Sequence, residues 1–236
     1  LRLSFPQIKT LLLEDPGPSV VSCAVNVIAE LSDKNGPKHY LLLAPQFFPL
    51  LSNSSNNWML IKAVKLLGRL VSEEPRLARK LLEPLSSIAK NTQAKSLLYE
   101  SVYTITIALL YARKSDGSLP SSVPVVIALC SSTLRGFVDE ADQNLRYLGL
   151  VGFGSLMKSN PQAVIQHRNL VLRCLTDDDV TLRSRALELL TGMVTKKNLI
   201  ELINQLMRHI DRAETAYRND LVENIILMCS KEKYSN

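Results

Sequence analysis

The chain has 236 residues, of which 46% are hydrophobic and 21% charged, and its formal net charge is +6 at pH 7. This is the composition of a folded globular protein, and it excludes a chain that is disordered over most of its length. No stretch of uninterrupted apolar residues is long enough to predict a transmembrane helix. The low Gly and Pro content disfavours a turn-rich β-sandwich and favours an array of helices.

The side chains that usually build active sites are few and scattered. The cysteines lack CxxC or CxH spacing, which predicts neither a disulfide framework nor a zinc site and indicates core residues in a reducing, cytosolic setting. They are Cys23, Cys130, Cys174 and Cys229. The histidines His39, His167 and His209 lie near no second ligand or nucleophile. We therefore predict a protein that is not an enzyme and has no catalytic residue, metal or cofactor. The absence of a Lys/Arg-rich run also argues against nucleic acid as a partner.

A helical repeat runs through the chain. Turn residues at 15–18 come first, and the apolar positions between Val20 and Ile28 then form one wide helical stripe. The pattern returns near 57–67, 96–102, 138–153 and 175–190. A small residue occupies the same position in every copy: Ala24, Ala63, Ser101, Gly149 and Ala186. Successive copies of it are 39, 38, 48 and 37 residues apart, which is the length of a HEAT or armadillo repeat.

Each copy is predicted to be the first helix of a hairpin, with a second helix after a short break. The second helices are predicted at 44–51, 76–88, 123–137, 167–175 and 198–210. Prolines lie near the starts of second helices, where a missing N–H costs little; they are Pro6, Pro45, Pro75, Pro124 and Pro161. Aspartates that can cap unpaired N–H groups precede first helices; they are Asp15, Asp139 and Asp177 to Asp179.

The predicted fold is all-α. A single hairpin cannot bury its own apolar stripe, so neighbouring hairpins must stack. We expect a single α-solenoid of HEAT/armadillo-like helical repeats over residues 1–236, with about six hairpins. The longest separation between repeats contains an insertion, where we predict a flexible loop at 113–120. Because Leu1 already lies in a helical pattern, we expect the chain to be a fragment of a longer solenoid.

Three motifs suggest chemistry but have simpler interpretations. The glycines between Gly149 and Gly154 lie inside a repeat helix and follow no strand, so close helix packing is favoured over a phosphate-binding loop. The glycosylation sequon at 53–55 is interpreted as a polar turn between repeats. The acidic run that starts at Asp177 lacks the alternating oxygen ligands of a calcium loop, and a helix cap is favoured.

The surface offers one candidate site, a basic interaction patch. Four of its residues fall at i, i+4, i+7 and i+11 and therefore share one face of a helix: Trp58, Lys62, Lys65 and Arg69. The next helix begins with the other three: Arg76, Arg79 and Lys80. Such a patch suits phospholipid headgroups or an acidic protein partner. The alternative interpretation is a solvated helix face, with Trp58 packed between repeats.

Several blocks of sequence, in order, point to a known family. The block at 142–150 (DQNLRYLGL) is similar to the adaptin signature of the large subunits of clathrin-type adaptor complexes, and two further repeat cores resemble adaptins at 97–100 (LLYE) and 185–190 (RALELL). Four stretches resemble delta-type adaptins, the branch of the third adaptor-protein complex: 56–62 (NNWMLIK), 74–77 (EPRL), 80–85 (KLLEPL) and 192–199 (GMVTKKNL). The resemblance covers essentially the whole chain and departs at 11–13 and 111–126.

The resemblance implies a piece of the adaptin trunk, in which an α-solenoid curves around a sigma-type small subunit. The trunk pairs with a beta-type large subunit, and a medium subunit completes the complex. A non-enzymatic scaffold of a vesicle coat is implied, sorting transmembrane cargo from Golgi and endosomes to lysosome-related organelles or the vacuole. The resemblance also implies Arf-family GTPases and acidic membrane lipids as partners, and a cytoplasmic protein peripheral on those membranes. In related adaptors, contacts with dileucine cargo and with phosphoinositides lie largely near the large subunit's N-terminus, so no cargo-binding residue is carried over.

Two other classes stay open as alternatives. A HEAT-repeat scaffold of another kind, such as a phosphatase regulatory scaffold or a transport receptor, would show more regular repeats or a binding ladder. An importin-like groove needs Trp and Asn to recur in successive repeats, whereas Trp58 is the only tryptophan. An enzyme would need a cluster of titratable side chains converging on one pocket, for which the sequence shows no candidate.

Overall fold

The computed structural model of the protein describes residues 5–14, 17–113, 117–210 and 213–231, and every regular element in these ranges is helical. The α-helices are α1 (Phe5–Glu14), α2 (Pro18–Asn35), α3 (Ala44–Asn53), α4 (Asn57–Glu73), α5 (Arg76–Asn91), α6 (Lys95–Tyr111), α7 (Val123–Val138), α8 (Gln143–Ser159), α9 (Pro161–Ile165), α10 (Arg168–Arg173), α11 (Val180–Gly192), α12 (Leu199–Ile210) and α13 (Thr215–Lys231). The 3-10 segments Pro37–Leu43 and Cys174–Thr176 come before α3 and after α10.

The predicted repeat matches the observed helices. Each predicted second helix coincides with α3, α5, α7, α10 or α12, and each predicted first helix with α2, α4, α6, α8 or α11. The all-α prediction is therefore confirmed. Residues 114–116 of the loop predicted at 113–120 lie outside the described residues, and a single array of about six hairpins stays a prediction.

The first of two compact units spans residues 1–126. Here α2, α4 and α6 pack side by side as the first helices of successive hairpins. The second helices pack on them: α3 contacts α4, and α5 contacts both α4 and α6. Leu66, Leu81 and Ile105 are fully buried between these helices, and each such side chain contributes about 1.5–3 kcal/mol.

The second compact unit spans residues 127–236, and its boundary with the first falls inside α7. Its first helices pack in order, α8 against α11 and α11 against α13. The shorter α9 packs on α8, α10 on α11, and α12 on α13. Phe153, Leu190 and Leu206 are fully buried here.

The small residue shared by the repeats is buried in every copy. Ala24, Ala63, Ser101, Gly149 and Ala186 all lie in the core. At Gly149 the reason is steric, because a Cβ would lie 2.6 Å from Val138 Cγ2 and 2.9 Å from the Val138 backbone N. Close packing of α7 on α8 therefore explains this glycine, as the sequence analysis favoured.

Capping side chains begin several of the helices. Asp142 Oδ1 accepts the N–H groups of Asn144 and Leu145 at the start of α8, and Asp179 Oδ1 accepts that of Thr181 at the start of α11. The predicted cap at Asp139 is wrong, since α8 begins only at Gln143. Asp15 lies outside the described residues.

Candidate functional site

Two basic residues of α4 reach back to the preceding first helix. Lys62 Nζ donates to Glu30 Oε1 at 2.7 Å, and the Arg69 guanidinium pairs with the Asp33 carboxylate, three residues further along α2. The hydrogen bond and charge of Lys62 lower the pKa of Glu30 from its ordinary value. Exposed ion pairs stabilise little individually, so these two mark the register of α4 on α2 without being the main source of its stability.

The third basic residue on this face of α4 reaches forward to α6. Lys65 Nζ lies 3.4 Å from Glu100 Oε2. Burial raises the pKa of Glu100, and the opposing charge of Lys65 offsets this only in part. The pair compensates part of the desolvation of a buried carboxylate. Lys62, Lys65 and Arg69 of the predicted patch are therefore engaged inside the first unit, as links between α2, α4 and α6.

Trp58 lies in the first turn of α4 and its side chain points into solvent. It is 79% exposed, so the alternative interpretation that packs it between repeats is wrong. The helix begins here because Asn56 Oδ1 accepts the N–H groups of Trp58 at 3.1 Å and Met59 at 3.2 Å. An exposed tryptophan on a capped, rigid helix is a typical anchor for a protein interface.

The remaining residues of the predicted patch lie at the other end of the α4–α5 hairpin. A connection of only two residues joins the two helices, so they run antiparallel. The 17 residues of α4 span about 25 Å, which separates Trp58 from Arg76, Arg79 and Lys80. The predicted patch therefore divides into Trp58 at one end of α4 and the three basic residues of α5 at the other, with the ion-paired face of α4 between them. Its role as a binding surface stays a prediction.

Sequence reasoning missed a set of contacts between repeats in the second unit. The Arg146 guanidinium pairs with the Asp177 carboxylate, whose side chain is only 8% exposed. Arg183 Nη1 donates to the Asp177 carbonyl oxygen at 3.1 Å, and its guanidinium lies 4.9 Å from the centroid of the Tyr217 ring. The signal was available, because Arg146 and Arg183 occupy the same position in successive repeats. The two arginines link α8 to the start of α11, and α11 to α13.

His167 has a structural environment in the second unit. Its Nε2 lies 2.8 Å from Ser131 Oγ, and its ring stacks on Phe153 with centroids 5.2 Å apart. Burial, followed by the charge of Arg135, lowers the pKa of His167. A neutral imidazole that ties α7 to the start of α10 accounts for these contacts.

A cleft of about 740 Å³ lies between the start of α11, the end of α12 and the start of α13. Charges of both signs line it, including Asp178, Glu214, Arg183 and Arg208. Across the described parts of the chain, no group of three or more His, Cys, Asp or Glu side chains could hold a metal ion. Nor is any helix in those parts long and apolar enough to cross a membrane.

Comparison with known proteins gives one consistent result. The family model described as the adaptin N terminal region matches residues 1–235. The chain is 48% identical over 240 residues to the AP-3 complex subunit delta-1 of Bos taurus and 47% identical over 235 residues to the AP-3 complex subunit delta of Dictyostelium discoideum. These alignments cover 100% and 99% of this chain, which spans 19% of each relative.

The fold has a counterpart among known structures. A chain of a homology model of the full-length AP-3 complex in an intermediate open conformation superposes with a TM-score of 0.67 at 32% identity. The superposition covers 98% of this chain and 42% of that one. The α-solenoid fold class predicted from the repeat is confirmed by this match.

Proposed function

This chain belongs to the adaptin family, matched through the adaptin N-terminal region, and from that premise we propose that it is a length of helical trunk from a large adaptor-complex subunit. It is a non-enzymatic scaffold of a vesicle coat for cargo sorting. The observation that carries the proposal is the extent of the match, which includes every described helix of both compact units. The chain spans about a fifth of the length of the relatives it matches, so it supplies one part of such a subunit.

The scaffold works through stacked helices that are held by buried apolar layers and linked by ion pairs. In the first unit, Lys62 and Arg69 tie α4 to α2, and Lys65 ties it to α6. In the second unit, Arg146 and Asp177 tie α8 to the start of α11. Such a frame presents a preformed surface, and binding to it loses little entropy in ordering the scaffold.

The partners we propose are the other subunits of an AP-3-type complex: a sigma-type small subunit, a beta-type large subunit and a medium subunit. Recruitment would involve an Arf-family GTPase and acidic lipids on Golgi and endosomal membranes. The chain matches relatives named as AP-3 delta subunits over nearly its whole length, which supports these partners over those of a HEAT scaffold of another class. Trp58 is our candidate anchor for a protein subunit, because its large exposed ring is held on a rigid, capped helix.

The test is co-expression of the tagged chain with the sigma-type subunit or with the beta-type and medium subunits, followed by affinity capture and size exclusion. We expect co-elution with at least one of them, and weaker capture by Trp58→Ala if Trp58 is an anchor. The small subunit of a different adaptor complex serves as the control partner. A helical chain that captures no subunit, under conditions where an intact delta-type subunit captures them, would contradict the proposal.

A further inference from the structure

One end of the first unit collects the ends of four elements. α2 and α4 both end there, while the 3-10 segment Pro37–Leu43 and α5 both begin there. At Gly36 the backbone has a φ of 84°, in the left-handed region that favours glycine, and this lets the chain turn from α2 straight into the 3-10 segment. A small cavity marks the junction and is lined by Ser32, Asp33, Gly36, Pro37, Arg69 and Ser72.

Exposed basic side chains surround this junction. Together with Leu42 they form what we call the basic edge: Lys34, Lys38, Arg76, Arg79 and Lys80. Among the described residues only Arg76 of these five makes an ion pair, a long one of 3.9 Å from its Nε to Glu74 Oε1, and its side chain is 85% exposed. Apart from Asp33, which pairs with Arg69, the acids at this end are Glu73, Glu74 and Glu83, so the five cations of the basic edge outnumber them.

Leu42 is the one apolar residue of the basic edge. Its side chain is 85% exposed, whereas Tyr40 and Leu43 of the same short segment are buried. Those two buried neighbours fix the segment to the core and hold Leu42 outward. His39 is three residues earlier, on the same side of the 3-10 turn, and is exposed as well. A rigid segment thus presents one apolar side chain in a basic surrounding.

We propose that the basic edge is a docking surface for anionic phospholipid membranes. Its cations contact headgroup phosphates, and Leu42 enters the boundary between headgroups and acyl chains. The inference rests on the proposed function, since a coat subunit works at a membrane. Charge complementarity supports it, because each Lys or Arg near an anionic bilayer strengthens binding by about fivefold.

A bilayer suits this surface better than an acidic protein does. Leu42 is a single protruding side chain, which a fluid interface accepts without a preformed pocket. A protein partner would need a matching cavity in the middle of a ring of carboxylates. The surface also differs from the patch predicted from sequence. It keeps Arg76, Arg79 and Lys80, omits the ion-paired face of α4, and adds residues from the preceding hairpin.

The test is co-sedimentation of the purified chain with phosphatidylcholine vesicles, with and without phosphatidylserine. We expect binding only with phosphatidylserine, and binding that is at least tenfold weaker for Lys38→Glu/Lys80→Glu. Leu42→Ser should weaken binding by about tenfold while leaving its salt dependence unchanged. The matched control is Lys196→Glu/Lys197→Glu, since both lysines are exposed and make no ion pair among the described residues.

Three results would overturn the inference: no binding by the wild type, equal loss in the control variant, or binding to a polyglutamate peptide but not to vesicles. The last would assign the basic edge to an acidic protein. Subunit capture on the same preparations separates the two proposals. Lost vesicle binding with retained capture overturns only this inference, whereas lost capture with retained vesicle binding overturns only the scaffold proposal.

Discussion

Adding one methyl group at Gly149 should separate two helices of the second unit. In Gly149→Ala the new Cβ would lie 2.6 Å from Val138 Cγ2, 2.9 Å from the Val138 backbone N and 3.1 Å from the Leu134 carbonyl oxygen. The Val138 side chain can rotate, but the two backbone atoms can move only with α7 itself. Overpacking of this kind costs about 1–3 kcal/mol, and the backbone contacts put this site at the upper end of that range.

Helix propensity acts in the opposite direction, since replacing Gly by Ala within a helix gains about 1 kcal/mol. The expected net loss is therefore about 2 kcal/mol, and in a chain of this length each kcal/mol lowers Tm by about 2–4 °C. The matched control is Gly136→Ala in α7, where a Cβ would meet no atom within 4 Å. In Gly136→Ala only the gain in helix propensity remains, so this variant should be stabilised by about 0.5–1 kcal/mol.

Urea unfolding and thermal melts followed by circular dichroism would measure both variants beside the wild type. The informative result is that the free energy of unfolding should fall in Gly149→Ala and rise in Gly136→Ala, because each substitution adds the same methyl group. Equal stabilisation of both variants would refute the close approach of α7 to α8. Equal destabilisation would show that glycine is needed for backbone flexibility rather than for packing.

Three further predictions concern contacts between repeats. Ala186→Asp should unfold or loosen the second unit, because Ala186 is fully buried and the carboxylate would have no partner; a melt unchanged from wild type would contradict the repeat alignment. Asp177→Asn should cost about 2 kcal/mol in urea unfolding, because it removes the charged partner of the partly buried Arg146. The loss should persist in high salt, and a loss that vanishes in high salt would mean that the pair is solvated. Glu100→Gln should be at least as stable as the wild type at pH 7. Burial raises the pKa of Glu100 in the folded state, so the wild type loses stability as pH rises through the ordinary value of 4.5 toward that raised pKa. Urea unfolding at pH 5 and pH 7 should show a smaller pH dependence for Glu100→Gln, and an unchanged one would contradict the prediction.

Local pattern alone was enough to predict most of the helices. Apolar stripes of helical period, a small residue at a fixed position, and prolines at helix starts all depend on residues close in the chain. For that reason the spacing of residues along the chain sufficed to predict the second helices and the burial of Ala63 and Gly149. The family also followed from sequence, because ordered blocks such as 142–150 carry it without reference to contacts.

The candidate site could be predicted only in part. Helical spacing correctly put Lys62, Lys65 and Arg69 on one face of α4. It could not reveal that Glu30, Asp33 and Glu100 face them, since those acids lie about 30 residues or more away on neighbouring helices. Helical spacing describes one helix at a time, whereas the partners of a side chain are set by which helices pack together.

By itself, the sequence determined the helical repeat, the class of fold and the family, because each is written in spacings along the chain. Only the tertiary structure decided which basic residues are paired inside the scaffold and which remain exposed. It placed Trp58 at the opposite end of α4 from Arg79 and Lys80. It also placed Lys38 and Leu42 at the same end of the first unit as the start of α5. The physical reason is that an antiparallel hairpin can place residues that are near in sequence at opposite ends of a helix. Stacking of the repeats then brings together residues from neighbouring hairpins.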